Sequence, residues 1–339
     1  MLDPSTHPVE VALATHNGER YLPALLDSLL AQTHRDFTIV VSDDGSTDAT
    51  VAVMRGYAER HPGRIRIVAT EPRRLGAAGN FSSILPHLTA DYVLFCDQDD
   101  VWLPRKMELS LARLRALEAN APAGTPILVH TNLAVVGGEL EPIAPSAMEY
   151  QSIDPARRAF PLLLMSNVAT GCTVAVNRAL LTLAAPVPPE AMMHDHWFAL
   201  VAAGLGSIGY IDEPTILYRQ HGGNAVGARP WGARTVADKL RETLFTPAPR
   251  DVLARHSRQA AVCVARYGGD LRMEDREAAT ALARVWEVGG WRRFWHLWRN
   301  GIRRDGVLRN AALLFTVAAG TPRNAGIAPP HPSEALRAG

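Results

Sequence analysis

The chain has 339 residues, 47% of them hydrophobic and 20% charged, a globular balance that excludes wholesale disorder. Lys+Arg 35 against Asp+Glu 34 leaves a net charge of +1, so no global field steers the chain to nucleic acid. Three cysteines are too few for a disulfide framework or a cysteine-based zinc site. The start, Met1 to Glu10, lacks a secretory pattern, and no run of about 18 apolar residues suggests a membrane span. Cytoplasm is therefore the expected compartment.

Val9 to Ala14 reads as a strand that stops at Thr15-His16-Asn17-Gly18. After Glu19, Leu22, Leu25, Leu26, Leu29 and Leu30 recur at helical spacing. Phe37 to Val41 reads as a second strand, ending in Ser42-Asp43-Asp44-Gly45-Ser46, and Asp48 is placed to cap the next helix. A third strand over Ile65 to Ala69, a helix over Asn80 to Leu88 and a fourth strand over Tyr92 to Cys96 follow. The alternation predicts an α/β fold with a mostly parallel sheet covered on both faces, its ligand site beyond the carboxyl ends of the strands.

Pro104 to Leu117 reads as a helix with Pro in its first turn. Residues 121–160 are rich in Pro, Gly and Ala, with one clear strand over Ile127 to His130. Val168 to Val176 is a further apolar stretch, Ala179 to Leu183 and Trp197 to Ala203 read as helices, and Ile208 to Ile211 and Thr215 to Tyr218 as short strands. From about residue 227 the pattern becomes helical and rich in arginine. Five of the seven tryptophans lie there. The Pro/Ala/Gly-rich stretch after Thr321 reads as a disordered tail.

Two acidic clusters sit at predicted strand ends. Asp97-Gln98-Asp99-Asp100 holds three carboxylates that repel one another unless a hard divalent cation or hydrogen-bond donors compensate. The competing reading is an acidic turn ahead of the helix near Pro104. Asp43-Asp44 suits hydrogen bonds to a base or ribose, or plain turn chemistry. Both clusters, with Thr15-His16-Asn17, fall on one edge of the predicted sheet.

With these residues in place, the chain resembles the family 2 glycosyltransferases of the GT-A fold over about residues 8–225. The segments that carry the resemblance are Ala14-Thr15-His16-Asn17-Gly18-Glu19, Val41-Ser42-Asp43-Asp44-Gly45-Ser46-Thr47-Asp48, Gly76 to Asn80, and Asp97-Gln98-Asp99. Phe95 to Trp102, Thr170 to Thr173, His194 to Trp197 and Tyr218 to His221 look like its rhamnosyltransferase-type branch. The resemblance implies a GT-A type nucleotide-binding sandwich with a nucleotide-sugar-binding half (8–120), an acceptor-binding half (121–225), a C-terminal helical extension (228–320) and a tail (321–339). It implies that Ala14, Thr15, His16, Asn17, Glu19 and Asp44 hold base and ribose, with His16 where the family usually has Tyr. It puts Arg74 by the diphosphate, and Asn80, Asp97 and Gln98 by the sugar nucleotide. Asp99, Asp97 and His221 are the expected ligands of Mg²⁺ or Mn²⁺, and Asp195 the catalytic base, here after His194 where many members have Glu.

The expected reaction is inverting transfer of a sugar, rhamnose on the branch resemblance, from a nucleotide-diphosphate sugar to a glycan or lipid-linked acceptor in cell-surface polysaccharide synthesis. The processive family's Q-x-x-R-W motif is absent, which favours single-sugar transfer. A sugar-nucleotidyltransferase or a non-catalytic nucleotide-sugar-binding protein are the alternatives. The former wants a Gly-rich basic phosphate loop that Ala14-Thr-His-Asn-Gly-Glu-Arg20 hardly supplies. The run His194-Asp195-His196 suits a strand or loop edge and is not expected to bind a transition metal. Cys96 and Cys172 read as packing residues. Residues 286–318 describe a basic amphipathic helical region that either lies peripherally on the inner face of the cell membrane or packs on the catalytic domain.

Overall fold

The computed structural model describes residues 8–70, 75–222, 227–228, 230 and 248–318. Its first four strands, β1 (Val9–Thr15), β2 (Thr38–Asp43), β3 (Ile65–Ala69) and β4 (Tyr92–Asp97), pair in parallel in the order β3-β2-β1-β4. They alternate with α1 (Leu22–Leu30), α2 (Thr50–Arg60) and α3 (Gly76–Ile84). The sheet then turns mixed. After β5 (Val101–Trp102) and α4 (Lys106–Glu118), β8 (Ala175–Asn177) lies antiparallel beside β4 and β6 (Ile127–Val136) antiparallel beside β8, with β7 (Pro142–Ala144) pairing off β6. The last strand, β9 (Ser207–Arg219), runs parallel to β6 and closes on β5.

Period-two alternation sends the strands' side chains to two cores. Val11, Leu13, Ile39 and Val41 face α1, whose Leu22, Leu25, Leu26 and Leu29 form the buried stripe read from their spacing. Ala12, Val40, Val93 and Phe95 face the opposite way, against Phe81 and Ile84 of α3 and the buried helix α8 (His194–Leu205). Shorter helices α5 (Ala147–Gln151), α6 (Phe160–Leu163) and α7 (Arg178–Ala184) complete this half.

The C-terminal region forms α9 (Ala248–Tyr267), α10 (Met273–Ala283), α11 (Arg292–Arg299) and α12 (Gly306–Ala318). These helices share one core with the sheet: Leu253, Cys263, Leu282, Leu297 and Val317 belong to the same cluster as Trp197 and Phe198. The packing reading of residues 286–318 therefore holds for their inward side. Among the described residues no helix is long and apolar enough to cross a membrane.

Several boundaries differ from the sequence expectation. Helix α3 begins at Gly76, four residues before Asn80, because Asp44 supplies acceptors to its first backbone N–H groups. Pro104 lies before α4. The strand expected over Ile127 to His130 extends to Val136, and the two expected after Ile208 are one strand with register shifts opposite β6. Asp48 is not the residue at the α2 boundary, which is Ala49; its carboxylate takes the N–H groups of Thr50 (3.0 Å) and Glu19 (3.1 Å).

Candidate active site

The site is built where β1, β2 and β4 end side by side. In register, Ala14 lies between Ser42 and Asp97, and Thr15 beside Asp43. Buried Thr15 donates from Oγ1 to Asp43 Oδ2 at 2.8 Å, and Asp43 also takes the backbone N–H of Ser46 at 2.7 Å. These bonds turn the chain sharply after β2. Asn17, at φ 49°, takes Thr47 N–H at 2.9 Å, and Glu19 takes Ala49 N–H at 2.7 Å. The loops after β1 and β2 are thus laced together through the side chains of Thr15, Asn17 and Glu19.

Asp44 receives the backbone N–H groups of Leu75 and Gly76, both at 2.9 Å, so its charge sits at the positive end of α3. Buried Asn80 donates from Nδ2 to the carbonyls of Thr15 and Ser42, both at 3.1 Å, and its Oδ1 is buried with no protein partner. Gln98 holds His16 through both ends of its amide. His16 itself is exposed, beside Asn17 Nδ2 at 3.3 Å. Arg74 lies outside the described residues.

The acidic residues converge. Burial pushes the Asp97 carboxyl up to about 7, helped by the negative charges of Asp99 and Asp195. Asp195 stands in the first turn of α8, where burial raises it to about 6. The backbone groups of His196 and Gly171 and the Asn167 side chain hold it down in part. Gly171 permits this approach, since a Cβ there would stand 3.3 Å from the His194 ring and 3.6 Å from Asp195 Oδ2. His221 Nε2 meets Asp99 Oδ2 at 2.9 Å. The structure thus brings Asp97, Asp99, Asp195 and His221 to one place from β4, α8 and the end of β9.

The run His194 to His196 lies on a helix start, not on a strand or loop edge, because α8 begins there. Its two imidazoles diverge: His194 stacks on Phe81 at 4.0 Å between centroids, while His196 Nε2 meets the Leu163 carbonyl at 2.6 Å. Burial lowers them to about 3 and about 4, leaving both neutral.

Further residues of the site escaped the sequence reading. Arg219 donates from Nε to the Asp99 carbonyl at 2.8 Å and from Nη1 to the Gly138 carbonyl at 2.6 Å, and lies over the Tyr21 ring at 4.6 Å. Tyr21 also packs on His221, with centroids 4.7 Å apart. Behind the acidic turn, buried Asp100 accepts Arg219 N–H at 3.2 Å, and fully buried Lys106 donates to the Thr173 carbonyl at 3.5 Å beneath the Trp102 ring. Burial lowers the Lys106 ammonium to about 8. In the sequence this layer showed as Asp100 of the acidic cluster and as Lys106, one of two lysines in a chain that otherwise uses arginine.

Among the described residues, ligand atoms of Asp97, Asp100 and Cys172 lie within 4.8 Å of one another. Burial holds the Cys172 thiol and the Asp100 carboxyl well above their ordinary values, so this inner group offers a soft, protonated sulfur and a carboxyl biased toward its protonated form. A hard cation matches it poorly. Asp97 paired instead with Asp99, a pair whose mutual repulsion a divalent charge would relieve, fits one better.

Residues 10–141 match the sequence model described as glycosyl transferase family 2. The dTDP-rhamnosyl transferase RfbG of Shigella flexneri is 28% identical over 228 residues, covering 64% of this chain and 74% of that protein. A glucosyltransferase of Escherichia coli, WfgD, named for transfer from UDP-Glc to GlcNAc-diphosphoundecaprenol, is 26% identical over 51% of this chain and 61% of its own length. EpsE of Bacillus subtilis, named as a presumed glycosyltransferase, is 31% identical over 40% of this chain, which spans 49% of its length. In fold, the chain is similar to S. aureus TarS 1–349 in complex with UDP-GlcNAc (TM-score 0.54, 16% identity, 92% of this chain and 90% of that one). It is also similar to the mannosyltransferase PcManGT of Pyrobaculum calidifontis with GDP-Man and Mn²⁺ (TM-score 0.51, 20% identity, 94% and 81%).

Proposed function

We propose, from the premise that the chain carries a family 2 glycosyltransferase domain on a GT-A type fold, that it is an inverting sugar transferase. The donor is a nucleotide-diphosphate sugar, and rhamnose is our choice of sugar because RfbG is named as a dTDP-rhamnosyl transferase and aligns over 74% of its length. The acceptor is a hydroxyl of a glycan or lipid-linked sugar in cell-surface polysaccharide synthesis, and the reaction runs in the cytoplasm. The unit that performs it is residues 8–225, with the donor in the half before residue 120 and the acceptor in the half after it.

What carries the reading is the meeting of Asp195 with Asp97 and Asp99. A carboxylate lifted to about 6 by burial is still ionised at neutral pH, yet basic enough to take a proton from an attacking hydroxyl. The acceptor O–H loses its proton to Asp195 while its oxygen bonds to the anomeric carbon. The bond from that carbon to the diphosphate oxygen breaks, and the nucleoside diphosphate leaves with the electron pair. Attack opposite the leaving group inverts the anomeric centre. The base and ribose rest on the loops from Ala14 to Glu19 and on Asp44, with Asn80 and Gln98 holding those loops in register. Asp99 and Asp97, with His221, are the residues that would hold Mg²⁺ or Mn²⁺, and such an ion supplies positive charge for the departing diphosphate.

The test is turnover of a panel of nucleotide sugars, with lipid-linked acceptors, in Mn²⁺, Mg²⁺ or EDTA. The anomeric configuration of the product is read by proton NMR. Transfer of one sugar with inversion, lost in EDTA, is the expected result. Failure of every nucleotide sugar to bind would overturn the reading, and retention of configuration would overturn the displacement mechanism.

A further inference from the structure

Helix α11 (Arg292–Arg299) packs through Leu297 and Phe294 yet buries an arginine and leaves indoles at its surface. Its inward side presents Arg293 and Leu297 to the core, while Trp291, just before the helix, and Trp295 face solvent at 62% and 51% exposure. Arg293, only 5% exposed, fixes this rotation. It donates to the carbonyls of Val288 at 2.6 Å and Val317 at 3.1 Å, and its guanidinium lies 5.0 Å from the centroid of the Trp286 ring. A helix that merely packed on the enzyme would bury its indoles and expose its arginine, since burying a large aromatic stabilises by roughly 1.5–3 kcal/mol.

The outward face is also basic. Between Val288 and Ala318 the sequence holds six arginines and a single acid, Asp305. Arg292 and Arg299 are exposed on the same side as the two tryptophans, and together with His296 they line one shallow depression. Arg303, also exposed, lies over Trp298 at 4.3 Å. Indoles sit at the headgroup level of bilayers, and guanidinium groups pair with lipid phosphates.

We infer that this face is a docking surface for an anionic lipid bilayer: Trp291 and Trp295 enter the interface, while Arg292 and Arg299 meet headgroup phosphates. The helix would lie in the plane of the membrane rather than cross it. The inference stands on residues remote in sequence from the catalytic carboxylates and does not depend on the identity of the sugar.

The full chain is floated with vesicles of phosphatidylcholine alone or mixed with phosphatidylglycerol. The double variants Trp291→Ser/Trp295→Ser and Arg292→Glu/Arg299→Glu are compared, their thermal melts confirming the fold. Wild type is expected to float with the anionic vesicles and to show blue-shifted tryptophan emission. Each double variant is expected to bind them about tenfold or more weakly, with donor turnover in detergent-free buffer unchanged. Absence of binding to anionic vesicles, or equal binding by both variants, would overturn the proposal. Self-association of wild type that the serine variant abolishes, without vesicle binding, would assign the face to a second copy of the chain instead.

Discussion

Gln98 grips the backbone of His16 at both ends: its Oε1 accepts the His16 N–H at 2.8 Å, and its Nε2 donates to the His16 carbonyl at 2.8 Å. One side chain from the end of β4 thereby extends the β1–β4 pairing beyond the sheet. The clasp needs Gly18, because a Cβ there would stand 2.4 Å from Gln98 Oε1. Gly18→Ala is expected to displace Gln98, lower stability by about 1–3 kcal/mol in urea melts and raise the donor KM. An unchanged melt with unchanged donor binding would show that the clasp orders nothing.

Replacement of Asp195 by Asn keeps the shape and removes the proposed base. Turnover should fall by about 10²- to 10⁴-fold with donor binding preserved, as measured by calorimetry beside steady-state rates. Because Asp195 must be ionised to accept a proton, the wild-type rate should fall as pH drops through about 6, and that limb should vanish in the variant. Equal loss of donor affinity would point to a binding role.

Asp97 gives a stability test with a definite sign. Its folded value, about 7, lies above the ordinary 3.8, so the folded protein holds this proton more tightly than the unfolded chain. The resulting stability is present below about pH 4 and is lost as pH rises through 7. Asp97→Asn should therefore match wild type in urea melts at pH 4 and exceed it at pH 8, by on the order of 1 kcal/mol or more. Turnover should be lost at the same time. Mn²⁺ should restore stability to wild type at pH 8, and EDTA should remove it again.

Arg219 joins the acidic turn, the Gly138 turn and the Tyr21 ring. Lysine has no planar fork to make these contacts together. Arg219→Lys is expected to reduce kcat/KM by about 10- to 100-fold and to lower stability by about 1–3 kcal/mol, since carbonyls buried beside it lose their donors. Retained activity with only a lower melting temperature would make Arg219 structural alone.

The parallel part of the fold was legible because each strand from Val9 to Cys96 is a short apolar run closed by a polar cluster. The leucines from Leu22 to Leu29 also kept helical spacing. The acidic clusters were legible for the same reason: carboxylates at strand ends stand out against apolar neighbours. The mixed half was harder. Ala175–Asn177 pairs through only three residues, and β9 carries Asp212, Glu213 and Pro214 through its middle, which reads as a break in sequence. Arg219 and Tyr21 act through contacts between segments nearly two hundred positions apart, which no local pattern encodes. Residues 286–318 were legible as basic and amphipathic, with membrane contact and packing both open; the buried bonds of Arg293 set Trp291 and Trp295 outward.

The shared core of the sheet and the C-terminal helices bears on how the segment around Asp195 is supported. Gln259 of α9 accepts the Met192 N–H at 2.7 Å, and Arg255 donates to the Met192 carbonyl at 3.2 Å, three residues before Asp195. A nascent chain that has emerged only to residue 227 has all the residues proposed for chemistry but lacks the wall behind Trp197 and Phe198. Asp195 is therefore held from behind by side chains that lie more than fifty residues later in sequence, and a chain cut at residue 227 would lack that support.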